Sequence, residues 1–336
     1  MINMIKYVVI ILFIISLIFL SRHLMNRKLE EKYKVLNFDR YLSMDETHED
    51  LFNMSYGIVD IDTFVYFYGC GRPKETHDAL IIKKIGLNGE KIENLQMLNI
   101  PKSVKDIYVG EVKPYVFDNQ LYLYTHFFGE REDIDIFPSY VSDNAKQLYF
   151  ESRYKNYLWN LNTDKVIPLH YDVIPGNEKT NKNFLFFQYE SDFLSITSIS
   201  PHKIYRVSMN TGYMEPFAET NFNFKSVFGS FFKKTELCLS GGPIHLPKYN
   251  SYLVAGHSRI GNWGGFRMTF FYTFEDKYPF QINKVSPLIS FGFSKKLEYC
   301  NQICKHKEYL YISLGVEDEY SLLLKIHLDD ILEIMK

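Results

Sequence analysis

The residues of this chain with the types and spacing for chemistry sit near the ends of apolar, strand-like runs. They are Asn53-Met54-Ser55, Gly110-Glu111-Val112-Lys113-Pro114-Tyr115, Asn181-Lys182-Asn183-Phe184, Ser240-Gly241-Gly242-Pro243 with Gly256-His257, and Gly315-Val316-Glu317-Asp318. Amides, carboxylates, Lys and His among scattered aromatics match the needs of a sugar ring and a phosphate. Those needs are directed hydrogen bonds, a flat apolar platform and positive charge. A plainer reading stands beside this one: Asn, Gly-Pro and Asp shape turns, and His257 is a satisfied polar residue at a strand end.

Glu111 and Lys113 are the pair to examine for proton transfer. In a regular strand they share one face, with Val112 on the other, which makes them a salt-bridged, non-catalytic pair. Glu111 would turn inward only if one residue were inserted locally, as in a β-bulge. A lysine ammonium titrates near 10.4 in water and is a poor proton donor at neutral pH unless burial lowers that value. The four cysteines include Cys300-x3-Cys304, but one such pair without a second does not make a zinc ribbon, and no metal or other cofactor is expected. A formal net charge of -2 gives no basic field for nucleic acid.

The elements that must position these groups are strands. Thr63–Gly71 (TFVYFYGCG) is restated at Gln120–Gly129, Asn183–Tyr189, Ser251–His257 and Glu308–Gly315, a drifting period of about 60 residues. Each copy is apolar and aromatic with β-branched residues, and each is followed by a second strand-like run: Asp78–Ile85, Asp133–Phe137, Lys203–Ser208, Met268–Phe274 and Leu322–His327. Hairpins recurring at this spacing bury their faces by stacking around an axis. The pattern predicts an all-β fold, a five-bladed β-propeller over 51–336, with an irregular β-sandwich or two β domains as alternatives. In a propeller the equivalent ends of successive blades converge on one axial face, so groups far apart in sequence line one pocket.

Residues 1–21 read as a transmembrane anchor. Tyr7–Leu20 (YVVIILFIISLIFL) is uncharged, and with Ile2–Ile5 the apolar stretch reaches about 19 residues, marginally enough to cross a bilayer. It ends in Leu20-Ser21-Arg22, without the small residues that signal-peptide cleavage needs. Residues 22–50 read as a polar stalk and ring-closing segment. The expectation is a single-pass membrane protein. Arg22, Arg27, Lys28, Lys32 and Lys34 argue for a cytosolic large domain and the sequon Asn53-Met54-Ser55 for a lumenal one, so its side stays undetermined.

The ordered set of motifs resembles the five-bladed glycoside phosphorylases and β-mannosyltransferases over roughly Leu51–Leu332. The family's Glu-Lys-Asn-Trp segment looks like Asn181–Phe184, its Arg-Gly-Gly-Thr-Pro turn like Ser240–Pro243 without the Arg and Thr, and its late Gly-x-x-Asp like Gly315–Asp318. The resemblance implies that Asn53, Ser55 and Asp318 contact sugar and that Lys182 and His257 face phosphate. The family's Gly-Val-Glu-Asp-Pro-Arg carries its catalytic acid on the Asp; here Lys113 stands at that place and Tyr115 at the Arg. The implied function is a glycosyltransferase or glycoside-phosphorylase-like protein acting on a mannose-type carbohydrate or phosphosugar, with Glu111 and Lys113 at the catalytic position. A catalytically inactive carbohydrate-binding propeller and a membrane-tethered interaction scaffold are the alternatives.

Overall fold

The computed structural model describes residues 34–35, 39–43, 51–61, 64–73, 79–86, 93–98, 107–130, 155–170, 183–229, 235–260, 266–294, 298–316 and 320–335, with side chains in 112–125, 156–170, 183–229, 236–259, 267–294, 298–316 and 322–335. Strands β1 (Lys34–Val35) and β2 (Asp39–Ser43) come first. β3 (Leu51–Ile61), β4 (Phe64–Pro73), β5 (Ala79–Gly86) and β6 (Glu93–Leu98) form an antiparallel meander. β7 (Ile107–Phe117), β8 (Gln120–Glu130), β9 (Lys155–Asn160) and β10 (Lys165–Leu169) form a second. β11 (Leu185–Tyr189), β12 (Asp192–Ile199), β13 (His202–Val207) and β14 (Met214–Thr220) form a third, followed by the short helix α1 (Phe224–Phe228). β15 (Thr235–Leu246), β16 (Ser251–Ile260), β17 (Phe266–Glu275), β18 (Ile282–Val285) and β19 (Ile289–Ser290) join β1 in the next sheet. The last sheet holds β20 (Glu298–His306), β21 (Tyr309–Val316), β22 (Tyr320–His327) and β2, and is followed by α2 (Leu328–Glu333).

The first strand of each meander is innermost. β3 lies beside β7, β7 beside β11, β11 beside β15, β15 beside β20, and β20 again beside β3. The chain therefore closes a ring, and the cores lie between neighbouring sheets. Tyr115, Tyr124, Phe184, Phe186 and Phe193 fill the space between the second and third sheets. Within it, Tyr115 meets Phe186 edge-on at 5.1 Å and Phe186 stacks on Phe193 at 5.3 Å. Leu253, Phe271, Leu310, Leu314 and Leu324 join the last two sheets, and α2 adds Leu328 and Ile331 to the same core. Each such side chain contributes about 1.5–3 kcal/mol by leaving water.

The five equivalent blades expected from the sequence are corrected. Four sheets are regular four-stranded blades, whereas the sheet begun by β15 has six strands. Its β17 is long enough to hold two short partners along one edge: β18 pairs with Tyr272–Phe274, and β19 meets Thr269. β1 then adds to β19 in parallel. The repeat also slips. Val65, Tyr122, Leu253 and Leu310 lie on the second strands β4, β8, β16 and β21, but Leu185 lies on the innermost strand β11. That strand reads like a second strand because it too is buried, with Leu185, Phe186 and Phe187 all inside. In the second blade the third strand is β9; the expected run Asp133–Phe137 lies outside the described residues.

The membrane reading is corrected as well. Among the described residues no helix is long and apolar enough to cross a membrane. The longer of the two α-helices described, α2, has six residues, or about 9 Å against a hydrocarbon core of about 30 Å. The stretch Tyr7–Leu20 itself lies outside the described residues. Single-pass placement and the membrane as a partner therefore have no support among the described residues.

Candidate functional site

Two of the predicted site residues, Lys113 and His257, have described side chains, and one serine joins them. Lys113 sits on β7 opposite Tyr124 and is fully buried. Its Nζ donates to the backbone carbonyl of Ser240 at 2.6 Å, across 127 residues of sequence. The Ser240 hydroxyl lies 2.7 Å from His257 Nδ1. Ser240 thus holds an ammonium with its carbonyl and an imidazole with its side chain, both well removed from solvent. In the sequence Ser240 is marked only as the head of a glycine turn. The glycines that follow it were the signal that the chain is tightly drawn there.

The irregularities of the inner strands explain how these groups meet. In β15 the ladder skips a residue between Leu239 and Gly241, the position of Ser240, and again between Gly241 and Ile244. β7 carries an extra residue between Val109 and Val112, over Gly110-Glu111. β3 carries one between Phe52 and Ser55, over Asn53-Met54, and β20 one between Cys300 and Gln302, at Asn301. Bulges re-aim side chains and gather beside functional sites. Four inner strands therefore break their ladders at or beside a polar residue: Asn53, Glu111, Ser240 and Asn301. The ladder is irregular at Glu111, so the regular-strand register of Lys113 does not extend through it. Asn53, Ser55 and Glu111 are placed by backbone alone, with Ser55 opposite Cys70. Lys182 and Asp318 lie outside the described residues.

The glycine turn brings β15 hard against β20. A Cβ at Gly241 would stand 2.7 Å from both Gln302 Cα and Ile303 N. Gly242 adopts φ +94°, and its N–H donates to Gln302 Oε1 at 2.6 Å, an oxygen that also accepts from Ile303 N at 3.1 Å. Gly241→Ala is expected to destabilise the protein by about 1–3 kcal/mol, because the added methyl meets backbone rather than a side chain that can turn away. Thermal unfolding reads this directly; an unchanged midpoint would mean that β15 and β20 part freely.

The surroundings of Lys113 and His257 are mixed. Burial pushes the Cys300 thiol far above its usual range, and the neighbouring Lys113 charge pulls the other way. The Tyr299 ring lies 5.7 Å from His257, with the Arg267 guanidinium 5.1 Å from its centre. Gly315 makes room for that ring, since a Cβ there would stand 3.0 Å from Tyr299 Cζ. Tyr299 and Arg267 carried no motif in the sequence. Cys300 is a free thiol. Among the described residues no three His, Cys, Asp or Glu side chains gather as a metal site. The arrangement brings an ammonium and an imidazole from separate sheets to the two ends of one serine.

No family model matches the chain, and no curated protein matches it in sequence. Solved structures do match in fold. The β-1,2-mannobiose phosphorylase from Listeria innocua superposes with a TM-score of 0.55 at 10% identity, covering 85% of this chain and 93% of its own. A GDP-Man-dependent mannosyltransferase from Leishmania mexicana gives 0.55 at 9% identity, over 90% of this chain and 93% of its own. A glycosyl hydrolase from Bacteroides ovatus gives 0.52 at 10%, over 83% and 84%. The resemblance drawn from sequence to the five-bladed phosphorylase and β-mannosyltransferase family is thereby corrected. The fold likeness takes in a hydrolase as readily as a phosphorylase or a transferase, and the blades here are four regular ones beside a six-stranded sheet. What the chain shares with these distant carbohydrate-acting enzymes is the propeller fold.

Proposed function

We propose that this protein acts on carbohydrate at the ring axis, as a glycosyltransferase or glycoside-phosphorylase-like protein for a mannose-type sugar carrying or receiving phosphate. The observation that carries this reading is the convergence of Lys113 and His257, from separate sheets, on the two ends of Ser240. In the proposed mechanism a nucleophile displaces the leaving group directly at the anomeric carbon. His257 and Lys182 bind the phosphate, and Lys113, oriented by the Ser240 carbonyl, stabilises the charge on it. Asn53, Ser55 and Asp318 hold sugar hydroxyls. Glu111, placed on a bulge, is the carboxylate available for proton transfer.

A second reading has its own support. Lys113 is an ammonium where the resembled family has a carboxylic acid, and it is bonded to a carbonyl. A propeller that binds sugar without turning it over fits that exchange. Calorimetry of the full chain with mannose and with inorganic phosphate, followed by a phosphorolysis assay on mannobiose, separates the readings. Binding of both with release of mannose 1-phosphate supports the enzyme; binding without turnover supports the inactive form. Binding of neither overturns both.

A further inference from the structure

The third blade lacks a bulge in the pairing of its inner strand, yet it brings a strained polar residue to the same region. Asn183 lies two residues before the start of β11 and holds φ at +66°. That conformation is uncommon for any residue with a Cβ, and Asn is among those that tolerate it. Asn183 is 7% exposed, and its Oδ1 has no hydrogen-bond partner among the described residues. A buried carbonyl without a donor is destabilising, so native proteins seldom leave one without a reason.

Its neighbours pin it next to the Lys113 hairpin. The N–H of Phe184 donates to the Tyr124 hydroxyl at 3.3 Å, and the Tyr115 hydroxyl lies 3.4 Å from the Phe184 carbonyl. Tyr124 faces Lys113 directly across the β7–β8 ladder, and Tyr115 is two residues further along β7. The Tyr124 hydroxyl in turn donates to Asn156 Oδ1 at 2.7 Å, which fixes the ring. Counted along the second strands from their hairpin turns, Leu185 pairs at the level of Lys113, Gly241 and Gln302. Asn183 lies two residues before that level, as Glu111 lies two residues before Lys113.

We infer that Asn183 is a sugar-binding residue whose Oδ1 accepts a hydrogen bond from a carbohydrate hydroxyl; this rests on the carbohydrate reading above. The chemistry selects the hydroxyl. An amide oxygen only accepts, and phosphate oxygens at neutral pH are overwhelmingly acceptors too, so the two repel. Asn183 therefore marks the sugar side of the site, and Lys113 with His257 the anion side.

The test is calorimetry of the full chain with mannose and, separately, inorganic phosphate, on the parent, Asn183→Gly and Asn183→Asp. Glycine accepts the positive φ without strain and removes only the side chain. Asn183→Gly is expected to lose at least about ten-fold in mannose affinity. Its phosphate affinity should stay within about two-fold and its unfolding midpoint at or above the parent's. Asn183→Asp keeps an acceptor at the same position and should retain mannose binding within about five-fold. Equal mannose affinity in parent and Asn183→Gly overturns the inference and leaves the carbohydrate reading standing. So does mannose binding lost in both variants, which would point to the amide N–H instead. A parent that binds no mannose overturns the inference together with the reading beneath it.

Discussion

Lys113→Met is expected to leave the fold within about 1–2 kcal/mol of the parent while reducing affinity for phosphate or a phosphosugar by roughly 2 kcal/mol or more, about thirty-fold. Lys113→Ala should lose the same affinity and also about 3–5 kcal/mol of stability. The difference lies in what each substitution leaves behind. Lys113 is fully buried, so its methylene stem fills core space as well as carrying charge. Methionine refills that space with a flexible chain of similar length and removes a charge that was costly to bury. Alanine leaves a cavity, whereas the loss of the Lys113 donor to the Ser240 carbonyl is common to both variants. Urea unfolding and calorimetry on the three proteins separate the two roles. Phosphate affinity unchanged in Lys113→Met would make Lys113 a structural strut between the second blade and the six-stranded sheet. The proposed charge handling would then fall to His257 and Lys182 alone.

Acidification is expected to weaken the parent between about pH 6.5 and pH 4 by about 3 kcal/mol through one residue, His202. His202 is 1% exposed at the head of β13; its ring stands edge-on to Tyr272 at 5.8 Å and tilted against Phe274 at 5.1 Å. Among the described residues neither ring nitrogen makes a hydrogen bond of ordinary geometry. Burial lowers its pKa to about 4, opposed in part by the nearby backbone of Phe280. The sign follows from proton counting. Below about 6.5 the unfolded chain takes up a proton that the native state refuses until about pH 4, so falling pH favours unfolding across that window. Above it the neutral ring contributes no slope. His202→Phe, with a ring of similar size among aromatic neighbours, should remove this part of the acid sensitivity. The parent's stability loss between pH 7 and pH 4.5 should exceed the variant's by about 2.5 kcal/mol. Equal losses would mean that His202 reaches water or a donor in solution and titrates normally.

The sequence by itself determined the all-β character and the hairpin rhythm. Second strands are covered on both faces by neighbouring sheets, which leaves apolar runs such as Ser251–Val254 that read plainly as strands. The third repeat was misphased for the same reason: β11 is also apolar, packed against Tyr115 and Tyr124, and burial alone does not tell an inner strand from the next one out. Nor did periodicity reveal that β17 would carry two short partners and gather six strands, since edge pairing depends on what the rest of the chain leaves exposed.

At the site, the sequence picked out Lys113 and His257 by residue type and by their place near the ends of strand-like runs. Only the tertiary structure decided that they meet at Ser240. That meeting joins residues 127 apart, and it depends on the one-residue insertions at Ser240 and Glu111. A bulge reverses which side chains face the axis, yet it leaves little trace in a pattern of period two. The packing of β15 against β20, which admits only glycine at position 241, puts it there.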